Sequence, residues 1–222
     1  MKTIKTPFGN MPIIYEDKHM LAVSKPHGLH SVEDRHKVQT DTLRSILDDE
    51  YGKIYIVHRL DAGTGGVMLC AKTPKMHAFL NKQFEQGRVK KEYLAVTEPH
   101  FDAAVTVMLP ISPKIAHGKY KINFKSGKPA RTSFIPLSYN DKASLVRALP
   151  HTGRTHQIRV HLRAHKYPLI TDWVYNKQSE DRRLPLQSSK IEFEHPVLGM
   201  MSLEAPLSDY MTEELEKYGL SL

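Results

Sequence analysis

Ile54-Tyr55-Ile56-Val57-His58-Arg59-Leu60-Asp61-Ala62-Gly63-Thr64-Gly65-Gly66-Val67-Met68-Leu69-Cys70-Ala71-Lys72 is the stretch that decides how this chain folds. Ile54 to Val57 is an apolar run of strand length. Three glycines follow within Ala62 to Gly66, and an apolar run resumes from Gly66 to Lys72, so the pattern reads strand, loop, strand. One carboxylate, Asp61, stands between the two runs. An aspartate between buried strands needs a partner or a task, because an unpaired carboxylate is costly to desolvate. A turn aspartate bonded to nearby backbone would satisfy the same pattern, and this stretch alone leaves both readings open.

Working outward, further strands are predicted at Ile13 to Glu16, Met20 to Ser24, Glu92 to Thr97, Tyr120 to Phe124, Thr132 to Leu137, Ser144 to Leu149 and Lys190 to Phe193. Helices are fewer. Thr40-Asp41-Thr42 offers caps before Leu43, Ile46 and Leu47, and Thr73-Pro74 opens a segment with Leu80 and Phe84 on one face that stops at Gly87. A third helix fits Thr155 to His165, with Ile158, His161, Leu162 and His165 on one face and Arg159 and Arg163 on another. Many strands with few, irregularly placed helices argue for an α+β fold with a mixed, mainly antiparallel sheet, since a parallel sheet requires regular βα alternation. No repeat or long linker interrupts the chain, so a single domain over residues 1–222 is expected, closing on an acidic tail over about 204–222.

Composition narrows the function. The 222 residues are 40% hydrophobic and 25% charged, an ordinary globular balance. A single cysteine, Cys70, excludes an intramolecular disulfide and suits a reducing cytoplasm. There is no signal-like N-terminus and no stretch near the ~20 apolar residues that span a bilayer, so no membrane partner is expected. The formal net charge is +8, and its distribution is uneven. From Ala103 to Thr171 the only acid is Asp141, among Lys114, Lys119, Lys121, Lys125, Lys128, Arg131, Lys142, Arg147, Arg154, Arg159, Arg163 and Lys166, whereas Glu204 to Glu216 carries five acids and no base. One basic face of this kind fits a polyanion such as nucleic acid, although basic composition alone does not establish specific binding.

The segment His58-Arg59-Leu60-Asp61 with Ala62-Gly63-Thr64-Gly65-Gly66 resembles the HRLD-x-x-TSG signature of the RluA-type RNA pseudouridine synthases. Gly65 stands where that family usually has serine. Ile14-Tyr15-Glu16-Asp17 with Leu21 to Pro26 and Gly28 is similar to the family's first motif, and Lys91-Glu92-Tyr93-Leu94-Ala95 to its K-x-Y-x-A segment. Thr152-Gly153-Arg154-Thr155-His156-Gln157-Ile158-Arg159-Val160-His161 matches its third motif, and His195-Pro196 with Ala205-Pro206-Leu207 its closing strands. The matches run in family order from about Ile13 to Leu207.

The resemblance implies an essential aspartate, Asp61, that either attacks the nucleoside or abstracts a sugar proton. It implies a pocket tyrosine, Tyr93, that stacks on a flipped uracil, and a cation, Arg159, that keeps the buried carboxylate ionised. Each has a plainer reading: strand packing for Tyr93, phosphate contact or helix solvation for Arg159. Arg59 is assigned to RNA contact, Lys25, Lys91 and Arg154 to the substrate-binding set, and Ile158 and Leu162 to lining the pocket or to core packing. Among thirteen histidines, His156, His161 and His165 share a stretch, yet no H-E-x-x-H or cysteine cluster accompanies them, and no phosphate-binding glycine loop appears. No metal and no cofactor is therefore expected. An RNA pseudouridine synthase acting as a cytoplasmic monomer leads, with ribosomal RNA slightly preferred over transfer RNA and no obligatory protein partner. Alternatives are a non-catalytic RNA-binding protein on the same fold, and a nucleoside glycosidase, which lacks a second placed acid. No S4-type RNA-binding domain is expected, so recognition falls to the catalytic domain, chiefly the basic segment Lys114 to Arg131.

Overall fold

The computed structural model describes residues 2–33, 41–113, 119–176 and 180–222. In chain order the elements are β1 (Thr3–Thr6), β2 (Gly9–Glu16), β3 (Met20–Lys25), α1 (Leu43–Tyr51), β4 (Tyr55–Ile56), β5 (Gly65–Ala71), α2 (Pro74–Glu85), β6 (Lys90–Thr97), β7 (Val105–Val107), β8 (Thr132–Tyr139), β9 (Ser144–Pro150), α3 (Gln157–Ala164), β10 (Leu186–His195), β11 (Gly199–Glu204) and α4 (Asp209–Tyr218). They gather into two compact units, Met1–Lys90 with Gln187–Ser208 and Lys91–Leu186 with Asp209–Leu222. The pairing is mainly antiparallel with a parallel contact between β5 and β10, the α+β arrangement expected.

In the first unit β5 is central. Every residue from Gly65 to Ala71 is buried, the near-continuous apolar run that a strand covered on both faces requires. β3 runs antiparallel along it from Met20↔Ala71 to Lys25↔Gly66, and β10 lies parallel at Gln187↔Gly65 and Ser188↔Gly66. Gly66 has φ +103°, and a Cβ there would overlap the Ser188 carbonyl, so glycine is what allows β10 to approach. β4 pairs only through Tyr55↔Ala71 and Ile56↔Cys70. The expected strand to Val57 stops early because the Leu69 amide donates to His58 Nε2 (3.0 Å) instead of to backbone, releasing the chain into the loop that carries Asp61.

Helix α2 begins at Thr73, whose side chain accepts from the Met76 amide, with Pro74 in the first turn. It lays Met76 and Leu80 on a core of Met20, Ala22, Val67, Leu69, Ile191 and Phe193. Buried Gln83 completes the packing: its amide donates to the Glu194 carbonyl (2.8 Å) and accepts from the Glu194 amide (2.8 Å), acting as a strand partner for β10. Helix α1 is capped by a reciprocal box between Thr42 and Ser45; Thr40, also read as a cap, lies outside the described residues.

The second unit carries the antiparallel order β6, β9, β8, β7. The strand expected over Tyr120 to Phe124 does not form. Asn123 Oδ1 accepts from the Lys125 and Ser126 amides, and Gly127 donates to the Asn123 carbonyl, so side-chain bonding closes a turn where the apolar pattern suggested extension. Among the described residues the pairing here is by isolated bridges, Ile111↔Ile122 within the segment and Ile111↔Lys128 after it. The acidic C-terminal stretch is the helix α4, which buries Tyr210, Met211, Glu214 and Leu215 and is tied down by Asn140 Nδ2 donating to the Tyr218 carbonyl (2.7 Å) and Ser138 Oγ to that of Ser221 (2.6 Å). Among the described residues no helix is long and apolar enough to cross a membrane.

Asp17 joins the start of β3 to β10. Its Oδ1 accepts from the His19 and Met20 amides (2.8 and 2.7 Å), and its Oδ2 from Tyr15 (3.2 Å) and His195 (3.1 Å). Burial alone would raise its pKa, but the two amides, Tyr15 and the His195 charge together hold it below the ordinary 3.8. A depressed carboxyl contributes stability that is present above 3.8 and lost as pH falls through its folded value. Urea midpoints measured from pH 5.5 downward should therefore fall less steeply for Asp17→Asn than for the wild type.

Candidate active site

The Asp61 loop is stitched, residue by residue, to the segment that follows β3. The Ser31 hydroxyl donates to the Leu60 carbonyl (2.8 Å) and accepts from the Leu60 amide (3.1 Å). The Gly28 amide donates to the Ala62 carbonyl (2.8 Å), with Gly28 at φ +92°. His27 Nδ1 reaches the Gly63 carbonyl (2.9 Å). Within the loop the Thr64 amide closes a turn on the Asp61 carbonyl (3.0 Å). Leu60 is buried at 5% exposure while Arg59 is exposed and Asp61 half-buried, so the anchored leucine leaves its two charged neighbours toward the accessible side.

Lys25 lies under this loop, in a place the sequence did not anticipate. Expected among phosphate-contacting residues, it is instead 1% exposed. Its Nζ donates to the carbonyls of Leu29 (2.6 Å), Pro26 (3.1 Å) and Ala62 (3.2 Å). Burial pushes its pKa down to about 7, with the Asp61 carboxylate pulling the other way. Three acceptors match the three donors of an ammonium, whereas a neutral amine would turn its lone pair on a carbonyl. Lys25 thus holds the loop and supplies positive charge near Asp61; with Nζ committed to carbonyls, it is unsuited to gripping a phosphate.

In the second unit the motif Thr152 to His161 forms a turn leading into α3. Gln157 Oε1 accepts from the Thr152 hydroxyl (2.6 Å) and the Arg154 amide (3.0 Å), while its Nε2 donates to the Arg131 carbonyl (3.0 Å) and Thr132 Oγ1 (2.9 Å). Thr132 in turn bonds His161 Nδ1 (2.9 Å), whose Nε2 donates to the Leu109 carbonyl (2.9 Å); burial lowers the His161 pKa despite that bond. His156, at φ +54°, bonds the Tyr175 hydroxyl through Nδ1 (2.8 Å).

Arg159 is not on a solvated helix face. It is 2% exposed and makes a two-pronged pair with Asp172, Nε to Oδ2 at 2.7 Å and Nη2 to Oδ1 at 2.8 Å. Its guanidinium lies 5.3 Å from the Trp173 ring centroid and 5.0 Å from that of Tyr175. Asp172 Oδ1 also accepts from the Val174 and Tyr175 amides. Asp172 was missed in the sequence; the one signal for it was an aspartate just ahead of two aromatics, Trp173 and Tyr175. Ile158 and Leu162 are buried. Tyr93 is 9% exposed on β6 opposite Ala148. Lys91 Nζ donates to the Thr152 carbonyl (3.4 Å), and burial lowers its pKa. Arg154 is exposed and donates to the Pro129 carbonyl (3.1 Å). Lys119, Lys121, Lys125, Lys128 and Arg131 are exposed, as is Phe124 at 78%; Lys114, also named in that basic segment, lies outside the described residues.

Comparison with known proteins gives a consistent result. The RNA pseudouridylate synthase family model matches residues 19–164. The chain is 37% identical over 194 residues to the dual-specificity RNA pseudouridine synthase RluA of Vibrio parahaemolyticus, covering 83% of this chain and 78% of that protein. It is 34% identical over 217 residues to the ribosomal large subunit pseudouridine synthase C of Vibrio cholerae, covering 92% and 68%. Among solved structures, human RNA pseudouridylate synthase domain containing 4 superposes with a TM-score of 0.78 at 26% identity, covering 95% of this chain and 94% of that one.

The buried ammonium is testable by stability alone. Lys25→Met keeps most of the stem but removes every donor, leaving the Pro26 and Leu29 carbonyls without Nζ. With roughly 1–3 kcal/mol for each buried polar group left unsatisfied, urea unfolding should show a loss of at least about 2 kcal/mol. An unchanged midpoint would mean that the lysine is not the support described.

Proposed function

The chain belongs to the RNA pseudouridylate synthase family and is an RNA pseudouridine synthase, and from that premise we propose that Asp61 is its catalytic carboxylate and ribosomal RNA its substrate. The reaction breaks the N1–C1′ glycosidic bond of a uridine, turns the uracil and joins C5 to C1′; C5 gives up its proton and N1 carries one in the product. Nothing is oxidised or reduced, so one well-held carboxylate is enough to attack the nucleoside or remove a sugar proton. The observation that carries the reading is the Asp61 loop itself: a half-buried carboxylate on backbone tied down by Lys25, His27, Gly28 and Ser31. Positioning of this kind is what catalysis by proximity demands.

In this reading the target base leaves its stack, Tyr93 is the aromatic that the family likeness assigns to the uracil, and Arg159 is the cation that it assigns to catalysis. Arg59, exposed beside Asp61, contacts RNA where the base has left. The two-pronged hold of Asp172 and the flanking aromatics limit how far the Arg159 guanidinium can swing, which suits a fixed electrostatic partner better than a mobile phosphate clamp. Ile158 and Leu162 support Arg159 from the same helix. Lys119, Lys121, Lys125, Lys128, Arg131 and Arg154 bind phosphates and orient the RNA without reading its sequence, and Lys91 steadies the Thr152 turn. Residues 1–222 are taken as one catalytic domain, a monomer of the cytoplasm. The choice of ribosomal RNA rests on the relative named for the ribosomal large subunit.

Asp61→Asn keeps the shape and removes the charge. Incubated with pseudouridine-free ribosomal RNA, the wild type should form pseudouridine at defined uridines, mapped by chemical labelling and sequencing. The variant should form none while retaining RNA affinity; a fully active variant would refute the assignment, and an inactive wild type that still binds RNA would favour a binding protein. Replacing Lys121 and Lys125 by glutamine should weaken binding to all RNAs alike and make the slope of log K against log salt shallower by about 1–2, measured by filter binding from 50 to 300 mM salt.

A further inference from the structure

Gly65 is an unusual place to find a histidine's side chain. A Cβ built on Gly65 would overlap Cδ2 and Nε2 of His27, so the imidazole of one residue occupies the side-chain space of another. His27 is 5% exposed, and its two ring nitrogens are engaged on opposite sides. The Gly63 carbonyl can only accept, so Nδ1 carries the proton across that 2.9 Å contact. In the neutral ring Nε2 then accepts from the Ser208 hydroxyl at 3.1 Å. Ser208 is itself fixed, its amide donating to Gln187 Oε1 (3.0 Å), and Gln187 Nε2 donates to the Pro206 carbonyl (2.8 Å). The imidazole therefore bridges β10, by way of Ser208 and Gln187, to a backbone atom two residues beyond Asp61.

We propose that His27 is a positioning residue that sets the placement of the Asp61 carboxylate, and that Gly65 is its obligate companion, the two forming one coupled device. The inference rests on Asp61 being the catalytic carboxylate. Asp61 and Thr64 close a turn through the Thr64 amide and the Asp61 carbonyl, so a shift at Gly63 inside that turn moves Asp61. Any side chain at position 65 displaces the ring, and the displaced ring releases Gly63. Loss of the imidazole also releases Gly63 but leaves room for a methyl group at position 65. The two substitutions therefore act on the same contact and do not add.

The test is a double-substitution cycle with a conservative rescue. His27→Ala, Gly65→Ala, the double variant, His27→Asn and Asp61→Asn are compared for single-turnover pseudouridine formation on unmodified ribosomal RNA, for RNA affinity by filter binding, and for amide exchange at Thr64 and Gly28. Misplacing a reacting group by an ångström costs up to ~100-fold in rate. Gly65→Ala should accordingly slow the reaction at least about tenfold with RNA affinity within about twofold, and the double variant should be no slower than His27→Ala. Asparagine carries an Nδ2 donor where histidine has Nδ1, so His27→Asn should recover most of the rate and of the Thr64 protection lost in His27→Ala. Rates that multiply in the double variant, or Thr64 exchange indifferent to His27→Ala, would overturn the coupling. A fully active Asp61→Asn would instead overturn the reading of Asp61 on which it rests. Should Gly65→Ala fail to fold, recovery in the double variant of the urea midpoint of His27→Ala still supports the shared contact, and its absence refutes it.

Discussion

A buried ammonium with three carbonyls around it is the constraint on which the Asp61 loop depends. A loop that runs through the interior turns its own polar backbone groups away from water, and each needs a partner. Here the partners come from one short segment, Lys25 to Ser31: an ammonium and an amide that share the Ala62 carbonyl, an imidazole on Gly63 and a hydroxyl on Leu60. The cost of burying the Lys25 charge is offset by those acceptors and by the Asp61 carboxylate, which opposes the drop in its pKa. Holding a carboxylate in place and keeping a lysine charged are thus two sides of one arrangement. Neither β4 nor β5 alone could supply it, because the loop leaves β4 at the point where His58 takes the Leu69 amide.

The second unit solves a similar problem with a different chemistry. Arg159 is as deeply buried as Lys25, and its charge is met by a carboxylate and by two aromatic faces rather than by carbonyls. A guanidinium permits this: it is planar, weakly hydrated and able to use two parallel hydrogen bonds on Asp172 while its faces rest on rings. Around it Gln157, Thr132 and His161 form a chain in which every acceptor has a donor, so the turn before α3 is specified by side chains as much as by helix propensity. Both buried cations thus have partners drawn partly from their own neighbourhood, as Pro26 and Leu29 for Lys25, and partly from elsewhere in the chain, as Ala62 for Lys25 and Asp172 for Arg159.

The parts of the fold read correctly from sequence are those where local pattern and packing agree. β3 and β5 are apolar runs buried along their whole length, and α2 is bracketed by Thr73-Pro74 and by Gly87 at φ +66°. The errors have physical causes. Tyr120 to Phe124 alternates as a strand would, but Asn123 bonds its own neighbours and makes a turn. Over Glu204 to Glu216 charge obscures the spacing of Tyr210, Met211, Glu214 and Leu215, the residues that α4 buries, so that helix has no local signal. β1, β7 and β11 are short edge elements without an apolar run long enough to announce them.

The order and type of the main elements, the family and the presence of an aspartate between two strands were determined by the sequence itself, since these depend on residue type and on spacing along the chain. Lys25 illustrates what was not: its lysine was visible, but nothing local says whether a lysine meets phosphate or three carbonyls. The same holds for Asp172 under Arg159, for His27 in the space of Gly65 and for Gly66 against Ser188. Those assignments belong to the tertiary structure, because burial and the direction of a hydrogen bond are properties of the segments that come together, and residues as far apart as His27 and Ser208 acquire them only once the chain has folded.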